Sequence, residues 1–232
     1  MSFNFKLWPT IITSIMFIVL VALGSWQVQR LNWKNELITK IQTRSTEEPV
    51  LLANHPVNME ELEFQRVNVR GRFDHSIEFH LVNRSLNGNP GLHIITPFLR
   101  SDKGGVLLVN RGWVPFEKKN AKSRREGLVA DELELNGIIR LIKGPGAFTP
   151  MNDPGTNHWF FIDPVAKSKI SGYSFPHGYY LLDGNVEVPG GFPVGHQWTL
   201  DIRNDHLQYA ITWYSLALAL LVIFFVYHRQ KN

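Results

Sequence analysis

Two long apolar segments, one near each end of the chain, limit what this sequence can fold into. Residues 7–24 contain no charged side chain and are rich in Ile, Leu, Val, Met and Phe, and residues 209–227 repeat this pattern. Each segment is roughly long enough to cross a hydrocarbon core of about 30 Å. We therefore predict two membrane-spanning helices that flank one domain. The predicted boundaries are a first span over 7–26 with a helical extension to about residue 45, an extracytoplasmic domain over 50–202, a second span over 206–227 and a cytoplasmic tail over 228–232.

The first segment has a second interpretation, as a cleaved signal peptide. Lys6 precedes the apolar run, and Ala22-Leu23-Gly24 forms a weak small-x-small cleavage site. The run is long for a signal peptide, however, and the bulky Trp26 follows it. These features favour a membrane anchor.

Charged residues beside the second segment indicate the orientation of the chain. Arg229 and Lys231 follow this segment, whereas Arg203 before it is accompanied by Asp201 and Asp205. Positive charge favours the cytoplasmic side, and long domains are translocated largely regardless of charge. We expect both termini in the cytoplasm and the domain outside. Because no Arg-rich, Ser-rich leader precedes the first segment, we expect a bacterial inner (plasma) membrane with the domain in the periplasm.

The composition excludes several kinds of site. The chain has no cysteine and only four methionines, which argues against disulfides, thiolate metal sites and a copper carrier with sulfur ligands. The net charge is +4, but the basic residues are scattered except over 118–125, and an extracytoplasmic domain meets no nucleic acid. The run over 118–125 is either a solvated loop or a docking patch for an acidic partner.

Short strand-like runs separated by turn residues fill the middle of the chain. Turn-forming residues at 87–91 and 101–105 each lie between two such runs, as in β-hairpins. Asp163 and Pro164 predict the start of a short helix that closes at Gly172. We predict a mainly antiparallel β domain, a small barrel or a sandwich, with this one short helix. The predicted strands are 65–73, 77–83, 92–99, 106–114, 132–142, 159–162 and 179–182.

The start of the second apolar segment carries the residues that point most directly to a ligand. On a helix His206, Tyr209 and Trp213 fall at i, i+3 and i+7 and share one face. Imidazole is a common axial ligand of haem iron, and the aromatic rings could flank a porphyrin. The alternative is an interface-seated polar residue above an aromatic belt, although ionisable residues at membrane depth are usually functional.

Trp26 and Arg30 are one turn apart on the first helix and should lie at the same membrane level as His206. An arginine there can pair with carboxylates such as haem propionates or the acidic side chain of a partner. The alternative is contact with phospholipid phosphate. Trp26 and Arg30 are therefore candidates for the second wall of the same site.

Two further clusters lie in the domain. Arg111 and Trp113 end a predicted strand, and His158 and Trp159 precede the short helix. Arg and Trp are favoured anchors at interfaces, so these four residues are candidates for partner binding. The alternative is a buried aromatic residue within a strand-end hydrogen-bond network. No His-Glu-x-x-His, Gly-x-Ser-x-Gly or glycine-rich phosphate motif occurs, so the sequence does not indicate an enzyme.

Several short motifs, spread from the first span to the second, occur together in one order. They are Gly24, Trp26, Gln27 and Arg30; Arg70, Gly71, Phe73 and Asp74; Val109, Asn110, Arg111, Gly112, Val114 and Pro115; Asn157, His158 and Trp159; Pro189, Gly190 and Gly191; and Arg203, Asn204, His206, Leu207, Gln208 and Tyr209 with Thr212, Trp213 and Tyr214. In this set the chain closely resembles the surfeit locus protein family, the cytochrome c oxidase assembly factors. Each motif alone is weak, but together they are specific.

The resemblance implies a non-enzymatic role in maturing the catalytic subunit of an aa-type oxidase, by holding haem a and assisting its insertion. It also implies that His206 is the position most often linked with haem binding in bacterial members of the family. On this hypothesis Tyr209 and Trp213 flank the macrocycle, and Trp26 with Arg30 closes the site. The expected partners are the oxidase catalytic subunit, the haem a synthesis machinery and membrane lipid. Two alternatives are a scaffold that stabilises a nascent oxidase subunit without a cofactor, and a membrane-anchored enzyme.

Overall fold

The computed structural model describes residues 6–52, 59–184, 188–196 and 204–229. Contacts between residues divide the chain into two units. The helical unit comprises Met1–Lys40 with Leu200–Asn232, and the β domain comprises Ile41–Thr199. The two ends of the chain therefore meet in one unit, and the middle of the chain forms the other.

Two apolar helices form the helical unit. Helix α1 spans Leu7–Thr46 and helix α4 spans His206–His228. Both are long and apolar enough to cross a membrane, and most of their large apolar side chains are exposed, which suits contact with lipid. With 40 residues, α1 is about 60 Å long, so it continues well past its apolar segment.

Helices α1 and α4 pack closely side by side. Gly24 is buried against Tyr214, and a Cβ atom added to Gly24 would lie 2.9 Å from the tyrosine ring. The Ser25 and Tyr214 hydroxyl oxygens are 3.1 Å apart. Ala210 and Ala217 on α4 are also buried. Small residues thus permit the close approach, as expected for helices that associate in lipid.

The β domain is built on a sheet that closes on itself. Its strands are β1 Val50–Leu51, β2 Arg66–Phe73, β3 Phe79–Leu86, β4 Asn89–Arg100, β5 Val106–Pro115, β6 Leu133–Leu141, β7 His158–Trp159 and β8 Tyr179–Asp183. Strands β2, β6, β8, β5 and β4 pair in that order, and β4 also pairs with β2 to close a five-stranded barrel. Strand β3 extends from β4, and β7 pairs with β3. The predicted mainly antiparallel domain is confirmed, since only β1–β2, β3–β7 and β5–β8 are parallel pairs among the described strands.

Two α-helices lie wholly within the β domain among its described residues, α2 over Met59–Leu62 and α3 over Pro164–Ser171, and three 3-10 helices accompany them, Phe116–Lys118, Ala121–Gly127 and Pro189–Gly191. The side chain of Asp163 accepts a hydrogen bond from the Ala166 N–H at 3.0 Å and caps α3. Gly172 ends the helix in the left-handed conformation, with φ +76°. The predicted short helix is confirmed.

Three clusters of buried side chains stabilise the described part of the β domain, and the smallest consists of Leu92, Ile94 and Val114. The first fills the barrel, and the second lies where β3, β7 and the segment around α3 cover the outside of the sheet. Burying a large apolar side chain contributes roughly 1.5–3 kcal/mol, so each cluster is a substantial source of stability. The barrel cluster is Leu52, Val67, Val69, Phe73, Phe98, Leu107, Val109, Leu135, Ile139, Tyr179 and Leu181. The outer cluster is Phe79, Leu81, Ile95, Leu108, Trp159, Ile162 and Phe175.

One predicted strand is shorter than expected. The sequence predicts a strand over 159–162, whereas β7 contains only His158–Trp159. The side-chain oxygen of Asn152 accepts hydrogen bonds from the Phe160 and Phe161 N–H groups, at 2.8 and 3.3 Å. These amides bond to a side chain instead of a neighbouring strand, so the ladder ends.

Gly112 in β5 has a backbone conformation that favours glycine, with φ +113°. Its N–H donates to the side-chain oxygen of Asn110 at 3.0 Å. A Cβ atom at this position would lie 1.9 Å from the carbonyl oxygen of Val194. The next residue, Trp113, exchanges two backbone hydrogen bonds with Val194, at 2.9 and 2.8 Å. Gly112 therefore lets the segment around Val194 pack directly on β5.

We predict that Gly112→Ala lowers the free energy of unfolding by about 3 kcal/mol or more, because the methyl group adds a backbone clash to the cost of a positive φ. Gly88→Ala is the matched control. Gly88 also has a positive φ, +80°, but nothing lies within 4 Å of an added Cβ. Its loss should be about 1 kcal/mol. Denaturant unfolding of the full chain in detergent, followed by tryptophan fluorescence, measures both, and equal losses would contradict the packing role of Gly112.

Candidate functional site

The first turn of α4 places His206 beside α1. His206 is the first residue of the helix and is half-buried. Ala210, one turn further, is 3% exposed. Tyr214, two turns further, lies against Gly24 and Ser25 of α1. Because residues four apart share a helix face, His206, Ala210 and Tyr214 belong to the face that packs on α1.

A short hydrogen bond fixes the imidazole of His206. Its Nδ1 atom lies 2.6 Å from the side-chain oxygen Oε1 of Gln27 on α1. An amide oxygen only accepts hydrogen bonds, so Nδ1 carries the proton and donates it, and the lone pair of the neutral ring is on Nε2. His206 makes no other hydrogen bond within the described part of the chain. An imidazole held through one nitrogen and open at the other is the usual arrangement of a metal-ligating histidine.

The donor set around His206 suits haem iron better than a bare metal ion. Across residues 6–52, 59–184, 188–196 and 204–229, no three His, Asp or Glu side chains gather as a metal site. A protein site for a bare ion needs several such ligands. Haem iron needs only an axial ligand from the protein, and one open imidazole nitrogen is able to provide it.

Two aromatic residues on α4 accompany His206. Tyr209 is 53% exposed, and Trp213 is half-buried. At three and seven residues beyond His206 they lie on the same side of the helix, with Trp213 nearly in line with the imidazole and two turns away. The structure thus brings His206, Tyr209 and Trp213 to one side of α4, where their rings offer flat apolar surfaces.

Trp26 and Arg30 lie on a neighbouring, exposed face of α1. The guanidinium carbon of Arg30 is 4.4 Å from the ring centre of Trp33. Stacking uses the flat face of the guanidinium and leaves the N–H donors at its edge for a carboxylate. The residue of α1 that hydrogen-bonds to His206 is Gln27, whereas the sequence predicted Trp26 and Arg30 on this side of the site.

Gln27 was not predicted as a site residue. A signal was present, because Gln27 is an amide side chain directly after an apolar segment, where a polar group requires a partner. A second polar contact in the helical unit joins the residues just before α4 to α1. Asn204 donates to the side-chain oxygen of Asn35 on α1 at 2.9 Å. Two polar contacts therefore tie the start of α4 to α1.

In the β domain, Arg111 is buried, with 2% of its surface exposed. Its Nη2 donates to the carbonyl oxygen of Gly127 at 2.6 Å, and its guanidinium carbon is 4.7 Å from the ring centre of Phe73. Burial lowers the pKa of Arg111 to about 10, and the attraction of Asp183 opposes this shift. Arg111 therefore anchors the loop that ends at Gly127 to strand β5.

Trp113 and Trp159 also lie inside the domain. Trp113 is 6% exposed and faces Phe192, with ring centres 6.5 Å apart. Trp159 is fully buried and donates through its indole N–H to the side-chain oxygen of Asn157 at 2.8 Å. Among the four residues predicted to bind a partner, His158 is the half-exposed one. Partner binding by Arg111, Trp113, His158 and Trp159 stays a prediction. Arg111 and the two tryptophans also have a packing role, since all three are buried.

Comparisons with known proteins agree with the motifs. The model of the SURF1 family matches residues 14–218, from within α1 into α4. Surfeit locus protein 1 of Mus musculus is 39% identical over 217 residues, which cover 88% of this chain and 70% of that protein. The Xenopus tropicalis protein of the same name is 39% identical over 230 residues, covering 90% and 73%, and that of Takifugu rubripes is 37% identical over 224 residues, covering 90% and 92%. The resemblance to the surfeit locus protein family is thereby confirmed, and this chain belongs to the SURF1 family.

Proposed function

We propose that this protein is an assembly factor for cytochrome c oxidase that holds haem a and assists its insertion into the catalytic subunit. Membership of the SURF1 family supports the first part. The observation that carries the second part is the hydrogen bond between His206 and Gln27, which orients the imidazole and leaves its lone pair on Nε2. Haem a, when bound, would supply an iron that the imidazole of His206 would ligate.

In this proposal His206 is the axial ligand and Gln27 is its positioning residue. By accepting the hydrogen bond from Nδ1–H, Gln27 favours the tautomer whose lone pair is on Nε2. The bond also limits rotation of the imidazole, which lowers the entropy lost when a ligand binds. Gln27 lies on α1 and His206 lies on α4. The packing of the two helices therefore determines the orientation of the His206 imidazole.

The neighbouring side chains would hold the rest of the macrocycle. Tyr209 and Trp213 provide apolar surfaces on the same side of α4 as His206. The guanidinium of Arg30, stacked on Trp33, would bind a propionate, with Trp26 beside it. Holding a cofactor and passing it on breaks no covalent bond, so the proposal assigns no catalytic residue.

The proposal places the protein in a bacterial inner membrane, with both termini in the cytoplasm and the β domain in the periplasm. Two candidate spans and the positive residues Arg229 and Lys231 after α4 support this orientation. The proposed partners are the oxidase catalytic subunit, the haem a synthesis machinery and membrane lipid.

A scaffold without a cofactor is the second candidate. Most large apolar side chains of α1 and α4 are exposed, so they could contact the helices of a nascent oxidase subunit as well as lipid. The scaffold hypothesis gives the open Nε2 atom of His206 no role. Haem binding therefore separates the two candidates.

We predict that His206→Ala lowers the amount of haem a that copurifies with the protein at least about tenfold, because the iron loses its protein ligand. The measurement is the absorption spectrum of the full chain, purified in detergent after coexpression with haem a synthesis enzymes. Thr212→Ala is the control on the same helix, since its exposed hydroxyl bonds only to the Gln208 carbonyl oxygen. Equal haem content in His206→Ala and wild type would reject the ligand assignment, and no haem in either protein would favour the scaffold.

We predict that Gln27→Leu weakens haem a binding about tenfold or more, because the imidazole loses the acceptor that fixes its proton on Nδ1. Gln27→Glu keeps an acceptor at this position and should retain binding. Titration of haem a into the detergent-solubilised apoprotein measures the dissociation constants. The control is Gln29→Leu, which removes an exposed amide two residues away on the same helix. Equal affinities of Gln27→Leu and Gln29→Leu would show that the hydrogen bond does not position the ligand.

A further inference from the structure

The β domain contains a cavity of about 370 Å³ between strand β3 and the segment that follows β5. It is lined by His80, Phe116, Glu117, Lys119, Asn120 and Ala121. All of these residues belong to the β domain, whereas the proposed haem site is made of residues in the helical unit. The cavity is therefore a separate site, and its function does not depend on haem binding.

The nitrogen-bearing side chains of His80 and Lys119 line this cavity, and that of His158 lies beside them. His80 on β3 and His158 on β7 are direct partners in the parallel pairing of these strands, so their side chains lie on the same face of the sheet. The amine of Lys119 lies 3.4 Å from Nε2 of His158. Lys119 and both histidines are half-buried. The three side chains are therefore accessible and close enough to contact one group.

The charge around the cavity is positive and is only partly balanced. The nearby carboxylate of Glu78 is held by both terminal nitrogens of the buried Arg124. Within the described ranges, no carboxylate lies within 4.0 Å of the Lys119 amine, and its hydrogen bond is to an imidazole. Glu117 at the rim is the carboxylate among the lining residues, and it is exposed. The Lys119 amine thus has an unbalanced charge at the cavity.

His80 responds to this positive environment. Burial is the largest cause, and together with the charges of Lys119, Arg124, His158 and Lys167 it lowers the pKa of His80 to about 4. Its ring is therefore neutral at physiological pH. Its Nδ1 atom is buried and has no hydrogen-bond partner among the described residues. A bound anion that neutralises the charge of Lys119 would reduce the positive electrostatic potential at His80.

The balance of charge favours a carboxylate over a phosphate. Lys119 contributes one full charge, His80 is neutral, and Glu117 would repel a second negative charge. The exposed ring of Phe116 at the cavity offers apolar contact beside the charged groups. Exposed cations continue from the cavity along the chain at Lys122 and Arg125, which would attract further acidic residues. These features match a peptide that carries several acidic side chains.

We propose that this cavity docks an acidic segment of a partner protein, with one carboxylate entering between Lys119, His158 and His80. The Lys119 amine, which donates to Nε2 of His158, would use another N–H for a charge-assisted hydrogen bond to the carboxylate, and the imidazole of His80 would supply a further N–H donor. This gives His158, one of the residues predicted to bind a partner, a specific role. It also favours the docking interpretation of the basic run over 118–125.

The test uses a rhodamine-labelled hexaglutamate peptide and the full chain in a non-ionic detergent at low salt, with fluorescence anisotropy as the readout. Wild type should bind this peptide and not hexaglutamine. Lys119→Gln should weaken binding at least about tenfold, and Lys119→Arg should retain it. Lys103→Gln is the matched control, because it removes the same charge from the turn at the opposite end of the β4–β5 hairpin. Unchanged thermal unfolding of Lys119→Gln would show that the variant is folded.

Three results would overturn the proposal. Equal losses in Lys119→Gln and Lys103→Gln would mean that the peptide responds only to net charge. Displacement of the peptide by inorganic phosphate, but not by acetate at the same ionic strength, would assign the cavity to phosphate. Binding to phosphatidylglycerol vesicles that Lys119→Gln abolishes, without binding of hexaglutamate, would assign it to the membrane surface.

Discussion

Contact between the first and last helices is the constraint on which the proposed site depends. His206 and Gln27 are 179 residues apart in sequence, and they meet because α1 and α4 pack together. Because lipid tails are as apolar as the helix side chains, the hydrophobic effect does not drive helices to associate in a membrane. Close packing and interhelical hydrogen bonds stabilise the association instead. Gly24 supplies the close packing against Tyr214, and the Gln27–His206 bond supplies a polar link. The contact that joins the helices therefore also orients the imidazole.

The family motifs in the β domain are explained first by packing. The side-chain oxygen of Asn110 accepts a hydrogen bond from the Gly112 N–H, and the absence of a side chain at Gly112 leaves room for the Val194 carbonyl group. Asn157 accepts from the Trp159 indole and donates through Nδ2 to the carbonyl oxygen of Glu78 at 2.8 Å. These residues fix strand ends and loops around the barrel. Because Trp159 is buried, its half-exposed neighbour His158 is the side chain of this motif that a partner is able to contact.

Buried positive charge is a recurring feature of the same domain. Arg124 forms a buried pair with Glu78, and removal of one partner from such a pair costs about 3–5 kcal/mol. Lys167 is fully buried, with its amine 3.5 Å from the ring centre of Trp159. Burial lowers the pKa of Lys167 well below its usual value. Both side chains lie close enough to His80, at the adjacent cavity, to lower its pKa.

The sequence predicted the features that depend on local patterns. Apolar length predicted the two helices, Asp163 and Gly172 predicted the ends of α3, and alternating runs with turn residues predicted the hairpin of β4 and β5. It did not predict that β2 pairs with β4 to close the barrel, because that pairing joins distant strands and leaves no periodic signal. Gln27 was missed for the same reason, since its role requires His206 at the other end of the chain. The strand predicted over 159–162 was too long, because the backbone N–H groups of Phe160 and Phe161 donate to the side chain of Asn152 and not to a neighbouring strand.

We propose that Nε2 of His206 is the protein ligand of haem a, and chemical rescue of a variant without this imidazole tests the assignment. His206→Gly removes the imidazole and leaves space at the first turn of α4. Free imidazole, added to this variant in detergent together with haem a, should restore haem binding and the spectrum of the wild-type complex. We expect imidazole to restore haem binding and the similarly sized but non-ligating pyrrole to have no effect. Full haem binding by His206→Gly without imidazole would contradict the assignment.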